Sequence, residues 1–231
     1  LSNNIKKRSE PFSPIYSSQL KPFFEKNFRE ILNSTLKTIE KSYHKENGKI
    51  LGFKTVWAEQ FTPTLLNELK NRSKVIFIIR DPRAVIASNY VKTDRRYPLE
   101  FLIRQWRKSI CYAILYTKII SKFKNDSLLV KYEELILKPE QEIEKICDFL
   151  GIKFEKELLK PSNYKDGNNE LWKQNTSYAH GKNQFNTKSI DKWKDVLSDE
   201  ILKFVEFTCK LEMNLLNYEL NLLKVFCVFL L

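Results

Sequence analysis

The sequence predicts an α/β fold, a parallel sheet flanked by helices, and three observations carry that expectation. In Lys74–Ile79 (KVIFII) the apolar residues are continuous rather than alternating, as in a parallel strand buried on both faces. A second short apolar run, Ser127–Val130, follows some fifty residues later. Between and after these runs lie long amphipathic stretches, and strands alternating with helices point to a layered parallel sheet.

The elements follow in order. Residues 1–47 are polar with one helical stripe, Phe23, Phe24, Phe28, Ile31, Leu32 and Leu36, spaced for a single face. Ile50–Val56, after Gly48, reads as a short strand. Thr62-Pro63 opens a helix, with Thr62 as N-cap and Pro63 at its first position. The strand KVIFII ends at Arg80-Asp81-Pro82-Arg83, and Ala84–Val91 continues as a helix. Leu99–Phe123 reads as one long amphipathic helix through Leu102, Trp106, Ile110, Ala113 and Ile120. Pro139 starts a helix that Gly151 stops. Residues 160–190 are loop-rich, and a final helix begins near Ser198 with Asp199 and Glu200 in its first turn, where the helix dipole favours them.

With 231 residues the chain has room for one domain with a sizeable core. The balance of 40 Lys+Arg against 28 Asp+Glu gives a formal charge of +12, which favours anionic partners such as nucleotides, anionic lipid, nucleic acid or acidic glycans. The five glycines are not spaced as GxGxxG or GxxxxGK[ST], so neither phosphate-cradling loop is present. The four cysteines (Cys111, Cys147, Cys209, Cys227) form no CxxC or Cys/His cluster, and no metal site is expected. Four Asn-x-Ser/Thr sequons, at Asn33, Asn71, Asn125 and Asn175, hint at a secretory-pathway lumen. A start at Leu1 without a signal-peptide pattern suggests a beginning inside a longer chain. The apolar stretch at the end is too short to span a bilayer.

The chemistry concentrates in Lys74–Tyr90 (KVIFIIRDPRAVIASNY). Ligands of open α/β sheets bind beyond the carboxyl ends of the strands, where helix N-termini attract anions. Arg80 offers a planar fork of donors for phosphate, and the Ser88 hydroxyl lies one to two turns into the following helix. The same residues also fit a turn in which Arg80 pairs with Asp81 and Ser88 merely packs.

An apolar strand ending in RDPRAV, with Ser eight residues after the first Arg, resembles the 3′-phosphate-binding motif of sulfotransferases that use 3′-phosphoadenylyl sulfate (PAPS). It looks most like the Golgi carbohydrate sulfotransferases and their bacterial relatives. The resemblance implies a P-loop-NTPase-like fold over residues 50–218, preceded by a helical segment (1–49) and followed by an apolar tail (219–231). It implies Arg80 and Ser88 as 3′-phosphate ligands. Val130-Lys131-Tyr132-Glu133-Glu134-Leu135 with Phe149-Leu150-Gly151 resembles the family's strand–YEDL–helix–FLG segment, which would place Tyr132 near the adenine. Asn186-Thr187-Lys188-Ser189 before Trp193 is similar to the segment that folds over the 3′-phosphate, which implies Lys188, Ser189 and Trp193 as further donor contacts. Cys111 and Cys209 occupy positions like cysteines of the Golgi members, which implies a pairing in a lumen.

Two departures stand out. Gly52-Phe53-Lys54-Thr55-Val56 resembles the segment that reads Lys-Thr-His in cytosolic members, where the His is the base; here Val56 takes its place and cannot accept a proton. Glu59 becomes the candidate base and Lys54 the candidate contact for the sulfuryl group or the acceptor. The loop P-x-x-[GS]-[ST] that cradles the 5′-phosphosulfate has no counterpart in residues 1–50, so the chain alone is expected to bind donor without completing catalysis. The implied activity is sulfuryl transfer from PAPS, without metal, to a hydroxyl or amine, with a carbohydrate as acceptor. A Golgi-luminal protein anchored through a segment upstream of Leu1 is implied, or a cytoplasmic one if the chain is bacterial. Arg95 and Arg96 could face an anionic acceptor, whereas His44 and His180 read as incidental. The competing class, a basic nucleic-acid-binding module, calls for aromatics interleaved with a Lys/Arg stripe, and the aromatics here fall mostly on apolar faces. A truncated, inactive relative of the enzymes is the third reading.

Overall fold

The computed structural model describes residues 28–42, 50, 52, 54–55, 58–69, 72–90, 97–165, 170–171, 185 and 187–221. They fall into two compact units. The smaller holds helix α1 (Phe28–Ser42) and the irregular backbone at Ile50, Gly52, Lys54 and Thr55, where a strand was expected.

The larger unit carries the site. A 3₁₀ turn (Glu59–Phe61) runs directly into α2 (Thr62–Leu69), so Thr62 is the first helical residue rather than a cap outside it. Strand β1 (Val75–Ile79) leads through Arg80 and Asp81 into α3 (Pro82–Tyr90), with Pro82 opening the helix where its missing N–H costs nothing. Helix α4 spans Leu99–Ile114, then widens into a π-helical turn, Leu115–Ile119. The expected single helix to Phe123 therefore breaks, at extended Ile120, before a separate 3₁₀ turn (Ser121–Phe123). Strand β2 (Ser127–Lys131) pairs with β1 in parallel, and the crossover between them runs through α3 and α4.

The remaining helices are α5 (Tyr132–Leu137), α6 (Pro139–Leu150), the short α7 (Lys188–Asp191) and α8 (Trp193–Val196), and α9 (Asp199–Leu215). Gly151 ends α6 at φ 67°, a left-handed conformation that glycine adopts without a Cβ penalty. Ser198 caps α9, its hydroxyl accepting from Ile201 N at 3.5 Å.

The core forms where β1, α3, α4 and α9 meet. Phe77, Ile79, Ile86, Trp106, Ile110, Val205, Cys209 and Met213 are all buried there. One expectation for β1 fails: Ile78 is 61% exposed, so the strand is covered on one side rather than both. Ile78 alternates with buried Phe77 and Ile79 and so projects from the opposite face of the strand.

Candidate functional site

The register of the two strands sets the site. Ile79 pairs with Lys131, so the residues that leave the sheet next, Arg80 and Tyr132, emerge side by side at the carboxyl end. The Arg80 guanidinium lies over the Tyr132 ring, 4.5 Å from its centroid. Ser189, on α7, completes the group: its carbonyl accepts from Arg80 Nη2 at 2.5 Å, and its Oγ lies 2.9 Å from the Tyr132 hydroxyl. Trp106 fixes the turn from below by donating its indole N–H to the Arg80 carbonyl at 2.7 Å. Three residues expected to share a site, separated by 57 and 109 positions, are thus in contact.

Arg80 Nε is buried and has no hydrogen-bond acceptor among the described residues. A buried donor without a partner costs free energy, about 1–3 kcal/mol and more when the group is charged. An anionic oxygen would remove that cost, and a phosphate suits a guanidinium fork. On this observation the residues present fit the 3′-phosphate end of a nucleotide donor.

Asp81, the carboxylate beside Arg80, is turned elsewhere. Arg83, itself buried, binds both Asp81 oxygens through Nε and Nη2 at 2.6 to 3.2 Å and reaches Glu206 on α9 through Nη1 at 2.6 Å. Burial pulls the Arg83 guanidinium down, but the hydrogen bonds and charges of Asp81 and Glu206 outweigh it and hold the pKa above its ordinary value. Glu206 Oε2 also accepts from Asn221 N at 3.0 Å. Glu133 accepts Asp81 N at 2.8 Å and the Tyr218 hydroxyl at 3.0 Å. Burial, then the Glu133 carboxylate, raises the pKa of that phenol, so it stays protonated and donating.

The Arg80–Asp81 ion pair that the sequence also allowed is therefore replaced by an Asp81–Arg83–Glu206 cluster, and Arg80 keeps its charge for other work. The second arginine of RDPR is the signal for this cluster. Its partner Glu206 lies 123 residues away, beyond any local pattern.

The other expected residues are spread. Trp193 is buried with its ring 4.1 Å from the Arg83 guanidinium, so it stacks on the structural cluster rather than on Arg80. Lys188 is exposed at the first position of α7, next to Ser189. Ser88 is half-buried in the last turn of α3 and makes no hydrogen bond to the Arg80 group among the described residues. Glu59 accepts a hydrogen bond from Ser109 on α4; its other oxygen is buried without a hydrogen bond, 3.9 Å from Lys108 Nζ. Lys54 is exposed in the smaller unit. Val56, Arg95, Arg96, His44, His180 and Asn186 lie outside the described residues. Cys111 and Cys209 are free thiols, against the implied pairing: Cys111 faces solvent on α4, whereas Cys209 is wholly buried in the core.

A cleft of about 150 Å³ opens beside this group. Its lining includes Asp81, Glu133, Asp191 and Glu219 against Arg83 and Lys194, the wrong sign for a phosphate. The unpaired guanidinium N–H belongs to Arg80, which does not line this cleft.

The family model for the sulfotransferase domain matches residues 59–217, which carry every residue of the Arg80 group. The chain belongs to the sulfotransferase family. A "Putative protein-tyrosine sulfotransferase" of Caenorhabditis briggsae is 29% identical over 171 residues, 69% of this chain and 58% of that protein. Carbohydrate sulfotransferase 3 of Tetronarce californica is 24% identical over 214 residues, 82% of this chain and 45% of that protein. The chain thus spans about half the length of these curated relatives. The sulfotransferase domain of the Synechococcus PCC 7002 olefin synthase shares the fold, with a TM-score of 0.54 at 19% identity over 87% of this chain and 79% of that one. A sulfotransferase fold is what the strand–turn–helix order of the larger unit builds.

Proposed function

We propose that the protein transfers a sulfuryl group from 3′-phosphoadenylyl sulfate to an acceptor hydroxyl or amine, and that the Arg80 group holds the donor's 3′-phosphate. The observation that carries the proposal is Arg80: cationic, oriented by Trp106, Tyr132 and Ser189, relieved of Asp81 by Arg83, and left with a buried unpaired N–H. Ser88, Lys188 and Ser189 are proposed as hydroxyl and ammonium donors around the same phosphate. Tyr132 is proposed against the adenine, and Trp193 supports the site from behind through Arg83.

Transfer spreads negative charge over the sulfuryl oxygens, so fixed cations and positioning supply most of the barrier lowering, as in phosphoryl transfer. Lys54 is proposed for that charge. Glu59 is proposed as the base, its unbonded Oε2 taking the acceptor's proton while Ser109 holds Oε1.

The acceptor is proposed to be a carbohydrate, in a Golgi lumen, supported by the carbohydrate sulfotransferase relative that aligns over most of the chain. A peptide tyrosine is the second reading, favoured by the higher identity of the nematode relative. Thermal stabilisation by adenosine 3′,5′-bisphosphate tests the donor proposal. Stabilisation of the chain that the Arg80→Ala variant loses is expected; no shift in either protein, or a shift with short RNA alone, would overturn it.

A further inference from the structure

Two of the four Asn-x-Ser/Thr sequons have their asparagine among the described residues, and the fold treats the two differently. Asn33 is half-buried inside α1, where the Thr35 hydroxyl that completes its sequon donates back to the Ile31 carbonyl at 2.8 Å. Asn125 stands exposed in the turn at residues 124–126 that leads into β2. Asn71 and Asn175 lie outside the described residues.

The turn is held without the Asn125 side chain. Buried Phe123 anchors it, Lys124 N donates to the Ser121 carbonyl at 3.2 Å, and Asp126 N donates to the Phe123 carbonyl at 3.1 Å. On the side of β1, the Asn125 carbonyl accepts from Lys74 Nζ at 3.1 Å and the Asp126 carbonyl from Val75 N at 2.9 Å. The side-chain amide of Asn125 makes no hydrogen bond among the described residues, and Lys122 and Lys124 beside it are exposed as well. A group linked to that nitrogen would extend into water and disturb no packing.

Ser127, the third residue of the same sequon, is 5% exposed on β2, and its Oγ is buried without a hydrogen bond among the described residues. Such a hydroxyl costs about 1–3 kcal/mol that an alanine would not. It does nothing for the fold, whereas N-glycosylation requires a hydroxyl at this position.

We propose that Asn125 is an acceptor for an N-linked oligosaccharide, an inference that rests on the proposed luminal location. In the transfer, Asn125 Nδ2 loses a proton and bonds to C1 of the first sugar of a lipid-diphosphate-linked oligosaccharide. The C1–O bond to the diphosphate breaks, and the lipid diphosphate leaves. Ser127 is covered once β2 pairs with β1, so the transfer precedes that pairing. The glycan also leaves the proposed donor site open. Asn125 lies at the amino end of the sheet, whereas Arg80 and Tyr132 leave its carboxyl end, the length of β2 or about 16 Å away.

The test expresses the full chain in insect cells behind a cleavable secretion signal. Protein from the medium and from the cell lysate is treated with peptide N-glycosidase F in heavy-oxygen water. That enzyme converts a glycosylated asparagine into an aspartate carrying the heavy isotope, which peptide mass spectrometry locates. A labelled aspartate at position 125 is expected, and its loss in Ser127→Ala. An unlabelled Asn125 in both fractions would overturn the proposal, because the signal supplies the lumen whether or not the native chain reaches one. A label that persists in Ser127→Ala would mark spontaneous deamidation and would also overturn it. The luminal location fails separately, if immunolocalisation places the native protein in the cytosol while the signal-directed chain is labelled.

Discussion

Arg80 and Arg83 stand three residues apart in one motif, and the structure gives them opposite duties that a pair of substitutions separates. Arg83→Leu removes the cation that, among the described residues, bridges Asp81 and Glu206, which are 5% and 2% exposed. Breaking a buried pair from one side costs about 3–5 kcal/mol, because the abandoned charges keep their desolvation penalty. The loss of the stack on Trp193 adds about 0.5–2 kcal/mol to the same side. Arg80→Ala deletes one hydrogen bond and one ring contact and also removes an unpaired buried N–H, so its net cost should stay near 1 kcal/mol. Urea unfolding followed by far-UV circular dichroism reads both. Arg83→Leu should lower the free energy of unfolding by at least about 3 kcal/mol, with Arg83→Lys intermediate because the ammonium keeps the charge and loses the fork. A cost for Arg83→Leu below about 1 kcal/mol, or one no larger than that of Arg80→Ala, would refute the division.

Three further outcomes follow from the core and its thiols. Burial pushes the Cys209 thiol up to about 12 and also raises Cys147, so at pH 8 iodoacetamide should modify Cys111 while those two stay unmodified until the protein is unfolded, as peptide mass spectrometry would read. The same shift makes stability pH-dependent: Cys209 ionises near 9 in the unfolded chain and near 12 when folded, so stability present below pH 9 should be lost progressively from 9 to 12 in pH-stepped unfolding, less so in Cys209→Ala. Ile86→Ala, at a site 1% exposed, should cost about 2–5 kcal/mol in the same urea assay without weakening nucleotide binding in proportion.

Much of the backbone around Arg80 was legible in the sequence because its signals are local. KVIFII followed by Arg-Asp-Pro states a strand, a turn and a helix start in nine residues, and Gly151 states a helix end. Tyr132 was legible for the same reason, standing directly after the second strand. What was not legible is long-range. Glu206 and Glu133 look like ordinary acidic residues on helices until the fold brings them to Arg83 and to Asp81 N. Lys188 attracted attention by its charge, yet the neighbouring Ser189 makes the contacts with Arg80 and Tyr132. The exposure of Ile78 could not be read from β1 either, since continuous apolarity reports what a strand can bury and not whether a layer covers its second face.

The account rests on Arg80 reading a 3′-phosphate, and discrimination between two nucleotides tests that most directly. Affinities for adenosine 3′,5′-bisphosphate and for adenosine 5′-phosphate, measured by isothermal titration at fixed ionic strength, differ only through the 3′-phosphate. A charge-assisted contact of about 1.5–3 kcal/mol predicts that the chain prefers the bisphosphate by roughly 10- to 150-fold. The Arg80→Ala variant should lose most of that preference, any remainder coming from Ser88, Lys188 and Ser189, while Arg83→Lys keeps it. An unchanged preference in Arg80→Ala, or none in the unsubstituted chain, would contradict the account.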